Sequence, residues 1–573
     1  MIRPSFPGKR PGPPRTALAG VMCALAFLTL LTRLLHLQIV ERPALAARAA
    51  DNRDRSLAVP APRGRILDRN GKVLVGNRTA YRLALSRSVP EERRRAVLER
   101  LAPLLGRSVA DLARSLENPR VSPLAAIPLA EDVGPDVVLA LREWPERFAG
   151  VEIEARPRRH HPYGSLAAHL LGTVGEGGGT SGVERLHDST LAGRPGADRL
   201  EVDSRGRAVR RLDRRPPTPG GDVHLTLDLD VQATAEAALT EHMVAARPVH
   251  VAPGGAVVAL ECSSGEVLAL ASAPGFDPAA PALAGEHSPL VNRALQGLYA
   301  PGSTFKPVTA LAGLAAGAVT PATAIEDRGS YRVGGRVFRN AQGRSYGRVD
   351  LGRALAVSSD VYFYALGQRL HTDRGDSPLQ VAARSLGLGA ATGIDVGPEA
   401  AGRVPGPEWK RSAHDRGLFP DPRWYPGDSV NLAIGQGDLL VTPLQLAVAY
   451  AGLANGGPRP RPHVTAGPTA GTAPGAAIDP EAAEAVRAGL RAAVTSPEGT
   501  AARAFDGLSR PGVDVWGKTG TAQRTGRSDT ALFAAVARAG ARCVSVVAVV
   551  EEAGFGSAVA APVVRRVIEA LFR

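Results

Sequence analysis

The chain predicts an α+β protein: a five-stranded antiparallel sheet with helices segregated onto its faces, set behind a single N-terminal membrane span and a separate first domain. Three observations predict it. A long apolar run opens the chain, and a Pro/Gly-rich break, Pro216-Pro217-Thr218-Pro219-Gly220-Gly221, divides the remainder. Beyond the break come two apolar strands, a block of helices, three more strands and a last helix. Grouped strands and grouped helices favour an antiparallel sheet over alternating parallel units.

In order, residues 1–15 are Pro-rich and carry Arg3, Lys9, Arg10 and Arg15 with no acid. Thr16 to Thr32 is uncharged, and after Arg33 apolar character resumes through Val40, long enough to span a bilayer with Arg33 snorkelling to the interface. Positive charge before the span predicts a cytoplasmic tail at 1–15, a signal-anchor at 16–40 and an outward-facing remainder. Ala44-Leu45-Ala46 resembles a cleavage site, but the apolar region exceeds a typical signal core. The first domain is expected over 41–221 and the second over 222–573.

Within the first domain, Asn70-Gly71 between Ile66-Leu67 and Val73-Leu74-Val75 reads as a hairpin turn, a scaffold element rather than a site. Helices are expected around 90–117 and 134–146. His160 and His161 follow a basic run, and neighbours on an extended chain point to opposite faces, so a surface loop is expected there rather than a metal site. In the second domain, Val223–Leu227 reads as a strand and Leu229–Ala246 as a helix. Gly254–Leu260 and Glu266–Ala271 form a hairpin, a helix opens at Ser303, and residues 353–370 are helical with Ser358 inside or at a break. Thr442, Pro443 and Gln445 start another helix as N-cap, first residue and capping-box partner. Strands at 513–522, 530–537 and 543–551 and a helix at 563–573 close the chain.

Composition excludes several classes. With 573 residues, 44% hydrophobic and 22% charged, the chain is globular rather than disordered. Its net charge of +14 comes from scattered arginines with only 4% aromatics and no zinc-finger or RNA-binding signature, so nucleic acid is not an expected partner. Anionic headgroups or an acidic cell-wall polymer suit the charge better, and a plainly solvated arginine surface accounts for it at least as well. Cys23, Cys262 and Cys543 have no metal-ligand spacing and no disulfide framework, and no motif asks for a metal or a cofactor.

The chemistry gathers in three short motifs: Ser303-x-x-Lys306, Ser358-x-Asp360 and Lys518-Thr519-Gly520. Of 69 basic side chains only five are lysines (Lys9, Lys72, Lys306, Lys410 and Lys518), and two of the five fall in these motifs. Where plain positive charge suffices the chain uses arginine; only lysine of the two gives up its proton in a protein. Ser303, on the same helical face as Lys306, reads as a nucleophile with an amine for its base. Lys306, pressed against Lys518 and a helix N-terminus, is expected to have a lowered pKa. Ser358 is placed to relay a proton, and Lys518 to supply positive potential. Thr519 and Thr521 offer hydroxyls to a carboxylate, and Gly520 lets a substrate lie along the strand edge.

This ordered triple resembles the class B penicillin-binding proteins, and within them penicillin-binding protein 2 of the elongation machinery. The resemblance extends to Arg63-Gly64-Arg65-Ile66-Leu67-Asp68-Arg69, Tyr163-Gly164-Ser165-Leu166-Ala167-Ala168-His169, Trp424-Tyr425-Pro426-Gly427-Asp428 and Gly435-Gln436-Gly437. It implies an elongated pedestal domain and a serine D,D-transpeptidase domain of β-lactamase-like fold in the bacterial cytoplasmic membrane. The catalytic set is Ser303, Lys306, Ser358, Asp360 and Lys518, and the substrate-binding set Thr519, Gly520 and Thr521. The reaction crosslinks peptidoglycan stem peptides through an acyl-enzyme that β-lactams also form, with an oxyanion hole at the amides of Ser303 and Thr521. Implied partners are a polytopic glycan polymerase and other membrane proteins of cell elongation.

Two positions depart from the family pattern. Asp360 stands where most relatives have asparagine, as in the penicillin-binding protein 2 branch, and must either pair with a lysine or hold a proton. Thr530-Ala531-Leu532-Phe533 stands where His-Ala-Trp-Phe is common. Because the family sheet sets its first and last strands side by side, a Cys262–Cys543 disulfide is a further expectation, failing at a Cα separation above ~7 Å. The alternatives are a division transpeptidase, a D,D-carboxypeptidase or β-lactamase, and, from a different class, a β-lactam sensor. The long first domain and anchor argue against a small hydrolase, and the short tail leaves no room for a sensor's output domain.

Overall fold

A computed structural model describes residues 15–43, 45, 54–118, 121–122, 124–203, 208–281, 287–372, 375–467, 471–473, 475–508, 510–523 and 526–573. Residues 1–14 of the expected cytoplasmic tail and Ala44 and Ala46 of the cleavage-like triplet lie outside them. A helix over Arg15–Leu35 continues as a π-helical turn over His36–Val40, and Ala17–Val40 is long and apolar enough to cross a membrane. Arg33 reaches Glu41 at its far end, at 3.4 Å.

The chain divides into two compact units, neither a single run of sequence: one gathers residues to Ala61, Thr79–Arg158 and Arg194–Thr218, the other Pro62–Arg78, Arg159–Gly193 and Pro219–Arg573. In the first, helices Glu91–Leu105, Val109–Leu116 and Pro135–Glu143 bury Leu98, Leu101, Leu112 and Leu141 with strand residues Leu83, Leu85 and Leu129. Ser108 caps the second of these helices by accepting from the Asp111 amide. A three-stranded antiparallel ribbon pairs Asp54–Val59 with Gly196–Val202 and that with Ala208–Arg215. The expected surface loop before His161 is instead a strand, Val151–His160. Its side chains alternate between half-buried and exposed over much of its length, a period-2 pattern that the density of arginine hid in the sequence.

In the second unit the Asn70-Gly71 turn joins Ile66-Leu67 to Val73–Val75 in antiparallel register, and Ile66-Leu67 also pairs in parallel with Val223-His224. Asp68, fully buried, fixes the turn by accepting from the Asn70 and Lys72 amides at 2.8 Å. Helix α1 (Leu229–Ala246) starts on the Asp228 cap. Strands β1 (Gly255–Glu261) and β2 (Val267–Ala273) form the expected hairpin. Then come α2 (Lys306–Ala315), α3 (Leu351–Val357), α4 (Asp360–Arg369), α5 (Pro443–Ala454) and α6 (Pro480–Thr495). Strands β3 (Asp514–Ala522), β4 (Thr530–Ala539) and β5 (Arg542–Val550) and helix α7 (Ala560–Leu571) complete the chain. The sheet is five-stranded and antiparallel, in the order β2-β1-β5-β4-β3.

Both faces of this sheet are covered, and the strands show it by period 2. Val257 and Ala259 of β1 pack with Leu239 of α1 and Val567 of α7, whereas Ala256, Val258 and Leu260 join the core of the helical block. Within that block α5 is buried at every position, and its sequence PLQLAVAYAGLA is correspondingly apolar around its whole circumference. Thr442 and Gln445 form the capping box predicted for it. Cys262 and Cys543 meet as anticipated, the Cys262 amide donating to the Cys543 carbonyl at 2.8 Å, but both are free thiols. The Cys543 thiol is held below its usual range by hydrogen bonding to Cys262, then by Arg538, while burial pushes the Cys262 thiol up.

Candidate active site

The centre of the site is the junction of three segments of the second unit. Ser303 lies in a 3-10 turn, Gly302–Phe305, that runs directly into α2. Gly302 has φ of +52°, and a Cβ on it would stand 2.9 Å from the Thr521 carbonyl oxygen of β3. A Cβ on Gly520 would meet the Thr304 methyl at 2.8 Å and the Pro301 carbonyl at 2.9 Å. These two glycines let the serine turn and the third-motif strand approach closely, which is a reason for Gly520 beyond the substrate access expected of it. From behind, the Gly302 amide donates to the Gly435 carbonyl at 2.9 Å and the Tyr450 hydroxyl donates to the Thr304 carbonyl at 2.9 Å.

Lys306 is fully buried, and its ammonium position is triangulated by the second motif. Nζ donates to the Asp360 Oδ1 at 2.7 Å, the Ser358 carbonyl at 2.8 Å and the Ser358 Oγ at 3.1 Å. Ser358 sits in the break between α3 and α4 in a left-handed conformation, φ 60° and ψ 42°, which turns its hydroxyl and its carbonyl toward the same amine. Asp360 is the first residue of α4. The requirement that Asp360 pair with a lysine is therefore met by Lys306. Burial lowers the Lys306 pKa from its usual 10.5, opposed by Asp360 and then by the more distant Asp327. The motifs alone point to Lys518 and the helix terminus as the cause; desolvation leads instead, because the amine sits where water does not reach it.

Lys518 is also fully buried, in β3, and donates to the Thr519 carbonyl and hydroxyl at 3.3 Å each. Its pKa is driven well below 10.5, by burial first and by the neighbouring Lys306 charge second, with Asp360 acting the other way. The Thr519 hydroxyl donates to the Thr500 hydroxyl at 2.8 Å, and Gln436 Nε2 donates to the Thr521 carbonyl at 3.2 Å. β3 is an edge strand, so its backbone has a neighbour in the sheet on one side only.

All eight residues singled out in the sequence thus belong to one neighbourhood: Lys306, Ser358 and Asp360 in direct contact, Ser303 a turn away, and Lys518 to Thr521 on the strand packed against that turn. Sequence reasoning missed Thr500, Asp327, Asn340 and Ser359, which brace these residues. Only Ser359 carried a signal, inside the second motif; Asp327 ends a strand of three residues, too short to show periodicity, and Asn340 and Thr500 lie outside regular elements. Among the described residues no group of three or more His, Cys, Asp or Glu is arranged to hold a metal.

Comparison with known proteins places this architecture. Residues 255–569 match the family model "Penicillin binding protein transpeptidase domain", and residues 58–225 match "Penicillin-binding Protein dimerisation domain". The chain is 33% identical to the peptidoglycan D,D-transpeptidase MrdA of Acinetobacter baumannii over 77% of its own length and 67% of the relative's. It superposes with a TM-score of 0.69 and 32% identity on a chain from a structure described as the coordination of polymerization and crosslinking by a peptidoglycan synthase complex, covering 98% of this chain and 99% of that one. A penicillin-binding protein (PBP2) solved in complex with MreC from Helicobacter pylori shares the fold at TM-score 0.75 and 23% identity, over 90% of this chain and 99% of that one.

Proposed function

Because this chain belongs to the penicillin-binding protein transpeptidase family and is a peptidoglycan D,D-transpeptidase of the elongation type, we propose that it crosslinks stem peptides through an acyl-enzyme on Ser303, with Lys306 as the base. The observation that carries the assignment is the wholly buried Lys306 amine, 2.7 Å from Asp360 and 3.1 Å from the Ser358 hydroxyl, on the turn that holds the serine. In the first half-reaction Ser303 Oγ attacks the carbonyl carbon of the penultimate D-alanine and its proton passes to the neutral Lys306 amine. Asp360 stabilises the ammonium so formed. The amides of Ser303 and Thr521 receive the oxyanion, and such a pair of donors is worth about 10²–10³-fold per donor in comparable acyl transfers.

Collapse of the tetrahedral intermediate breaks the D-Ala–D-Ala bond. Ser358 relays a proton from Lys306 to the leaving amine, and D-alanine departs. The amine of a neighbouring stem peptide then attacks the ester carbonyl, releases Ser303 and completes the crosslink. Lys518, Thr519 and Thr521 hold the substrate carboxylate, and the peptide adds to the open edge of β3 beside Gly520. A β-lactam carbonyl acylates the same serine, and its retained leaving group blocks the second step.

The chain's one described helix long enough to span a bilayer supports a membrane-anchored protein. We place that bilayer as the bacterial cytoplasmic membrane, with residues 16–40 across it and the catalytic region outside, 41–221 forming a pedestal and 222–573 the transpeptidase domain. The Helicobacter pylori relative was solved with MreC and another relative in a peptidoglycan synthase complex. An assembly with a glycan polymerase and other elongation membrane proteins is the corresponding proposal here. The test is labelling of membranes carrying the full chain with a fluorescent penicillin. The native chain takes the label and Ser303→Ala loses it by at least about 10³-fold; equal labelling of the two overturns the assignment.

A further inference from the structure

Between α2 and α3 the chain makes an excursion of two small ribbons, Ile325–Asp327 paired with Gly347–Val349 and Ser330–Val333 paired with Arg336–Arg339. At its base lies Asp327, fully buried. Its carboxylate accepts from the Gly329 amide at 2.8 Å, from Asn340 Nδ2 at 2.8 and 2.9 Å, and from the Ser359 hydroxyl at 2.5 Å. Its carbonyl accepts from the Ser345 hydroxyl at 3.0 Å and the Tyr346 amide at 3.2 Å. The chain thus buries a carboxylate on neutral donors, an arrangement that is costly to leave partly made and rigid when complete.

Two arms leave Asp327 for α4. Asn340, 4% exposed, donates to Asp327 and to the Arg344 carbonyl through Nδ2, while its Oδ1 accepts from the amides of Asp360 and Val361 at 2.9 and 3.0 Å. Those are the first amides of the helix, which have no partner inside it. Ser359 donates to Asp327 and accepts from the Tyr362 amide at 3.1 Å. Several amides are orphaned at a helix N-terminus: Ser359 takes that of Tyr362, and Asn340 takes those of Asp360 and Val361. The second arm, reaching in from a different segment, lands on the residue whose carboxylate holds the Lys306 amine.

We propose that Asn340, anchored on Asp327, is a positioning residue for acyl transfer: it fixes Asp360, and through it Lys306, in register with Ser303. The ribbon excursion is then the foundation of the second motif. The proposal rests on the roles given above to Ser303, Lys306 and Asp360. A displacement of about 1 Å at a reacting centre costs on the order of 10²-fold in rate, so the brace acts on the rate of acylation more than on binding.

The full membrane-anchored chain is acylated by a fluorescent penicillin, and the first-order acylation rate is separated from the non-covalent dissociation constant. Asn340→Ala lowers the rate by about tenfold to a hundredfold and leaves the dissociation constant within about threefold. In an Asp360→Ala background, where the group it positions is gone, adding Asn340→Ala changes the rate by less than about twofold. Should thermal melting show Asn340→Ala unfolded, Asn340→Ser, which shortens the arm that accepts from Asp360 and Val361, takes its place in the same cycle. A native rate in the single variant, or losses that multiply in the double variant, overturns the proposal. A native chain that takes no label at all refutes the roles of Ser303 and Lys306 instead.

Discussion

The second unit holds two clusters of two basic side chains gathered on carboxylates, Glu184 and Asp188 in one and Asp360 in the other, and they behave in opposite ways. In one, Glu184, fully buried, accepts from Arg63 at 2.8 and 3.1 Å and from Arg159 at 2.6 Å, and Arg159 also donates to the Gly64 carbonyl at 2.7 Å. In the other, Asp360 faces Lys306 at 2.7 Å, with Lys518 close enough to be depressed by its charge. Guanidinium groups stay protonated however deeply they sit, so the first cluster is a permanent clamp. Ammonium groups surrender their proton when desolvated, so the second is a proton store. The same burial that locks one region makes the other reactive, and the choice of cation alone decides which.

The largest test of this contrast converts the store into a clamp. Lys306→Arg preserves the positive charge but cannot accept a proton, and acylation by a fluorescent penicillin falls by about 10³-fold. In the native chain the same rate declines as pH is lowered through the depressed Lys306 pKa, since the ammonium is the inactive form. Breaking the clamp acts on stability instead. Glu184→Ala leaves the largely buried Arg159 without its carboxylate and Arg63 with Asp188 alone, and costs about 3 kcal/mol, read from chemical denaturation. The remaining folded protein acylates within about twofold of the native rate, because the substitution removes no group of the acylating centre.

The smallest effect comes from a buried ring that belongs to neither cluster. His169 donates from its Nε2 to the Pro289 carbonyl at 2.7 Å and meets Phe276 edge-on. Burial lowers its pKa from 6.5 to about 4, against that hydrogen bond. Between these values the unfolded chain binds the extra proton and the folded chain does not. Its contribution to stability is therefore complete above pH 6.5 and lost as pH falls toward about 4. His169→Gln flattens the melting temperature over that window; an unchanged slope would assign the acid sensitivity to other groups.

Much of this was legible before the fold was known, and the limit is physical. Helix α5 announced itself through Thr442, Pro443 and Gln445, because capping chemistry is local. The sheet strands announced themselves as short apolar runs. The two motif lysines, Lys306 and Lys518, stood out only because arginine had replaced lysine almost everywhere else. Asp327, Asn340 and Thr500 could not be found, because their roles arise from contacts between segments 19 to 32 positions apart. The cause of the Lys306 shift escapes the motif for a related reason: depth of burial is a property of the packed block. For Gly520 the motif explains access, and the structure adds a packing demand from Thr304 and Pro301 on the neighbouring turn.

The edge position of β3 carries a consequence for the protein outside its reaction. The edge of a sheet is where a strand of another molecule would add. The usual protections, an inward-pointing charge held in water, a proline or a covering helix, would each close the site. What stands on this strand is Lys518, whose charge is buried, and Gly520, which adds no bulk. Seven of the nine positions of the strand are buried, all but Asp514 and Thr521, so self-association at this edge is restrained by the packing around it.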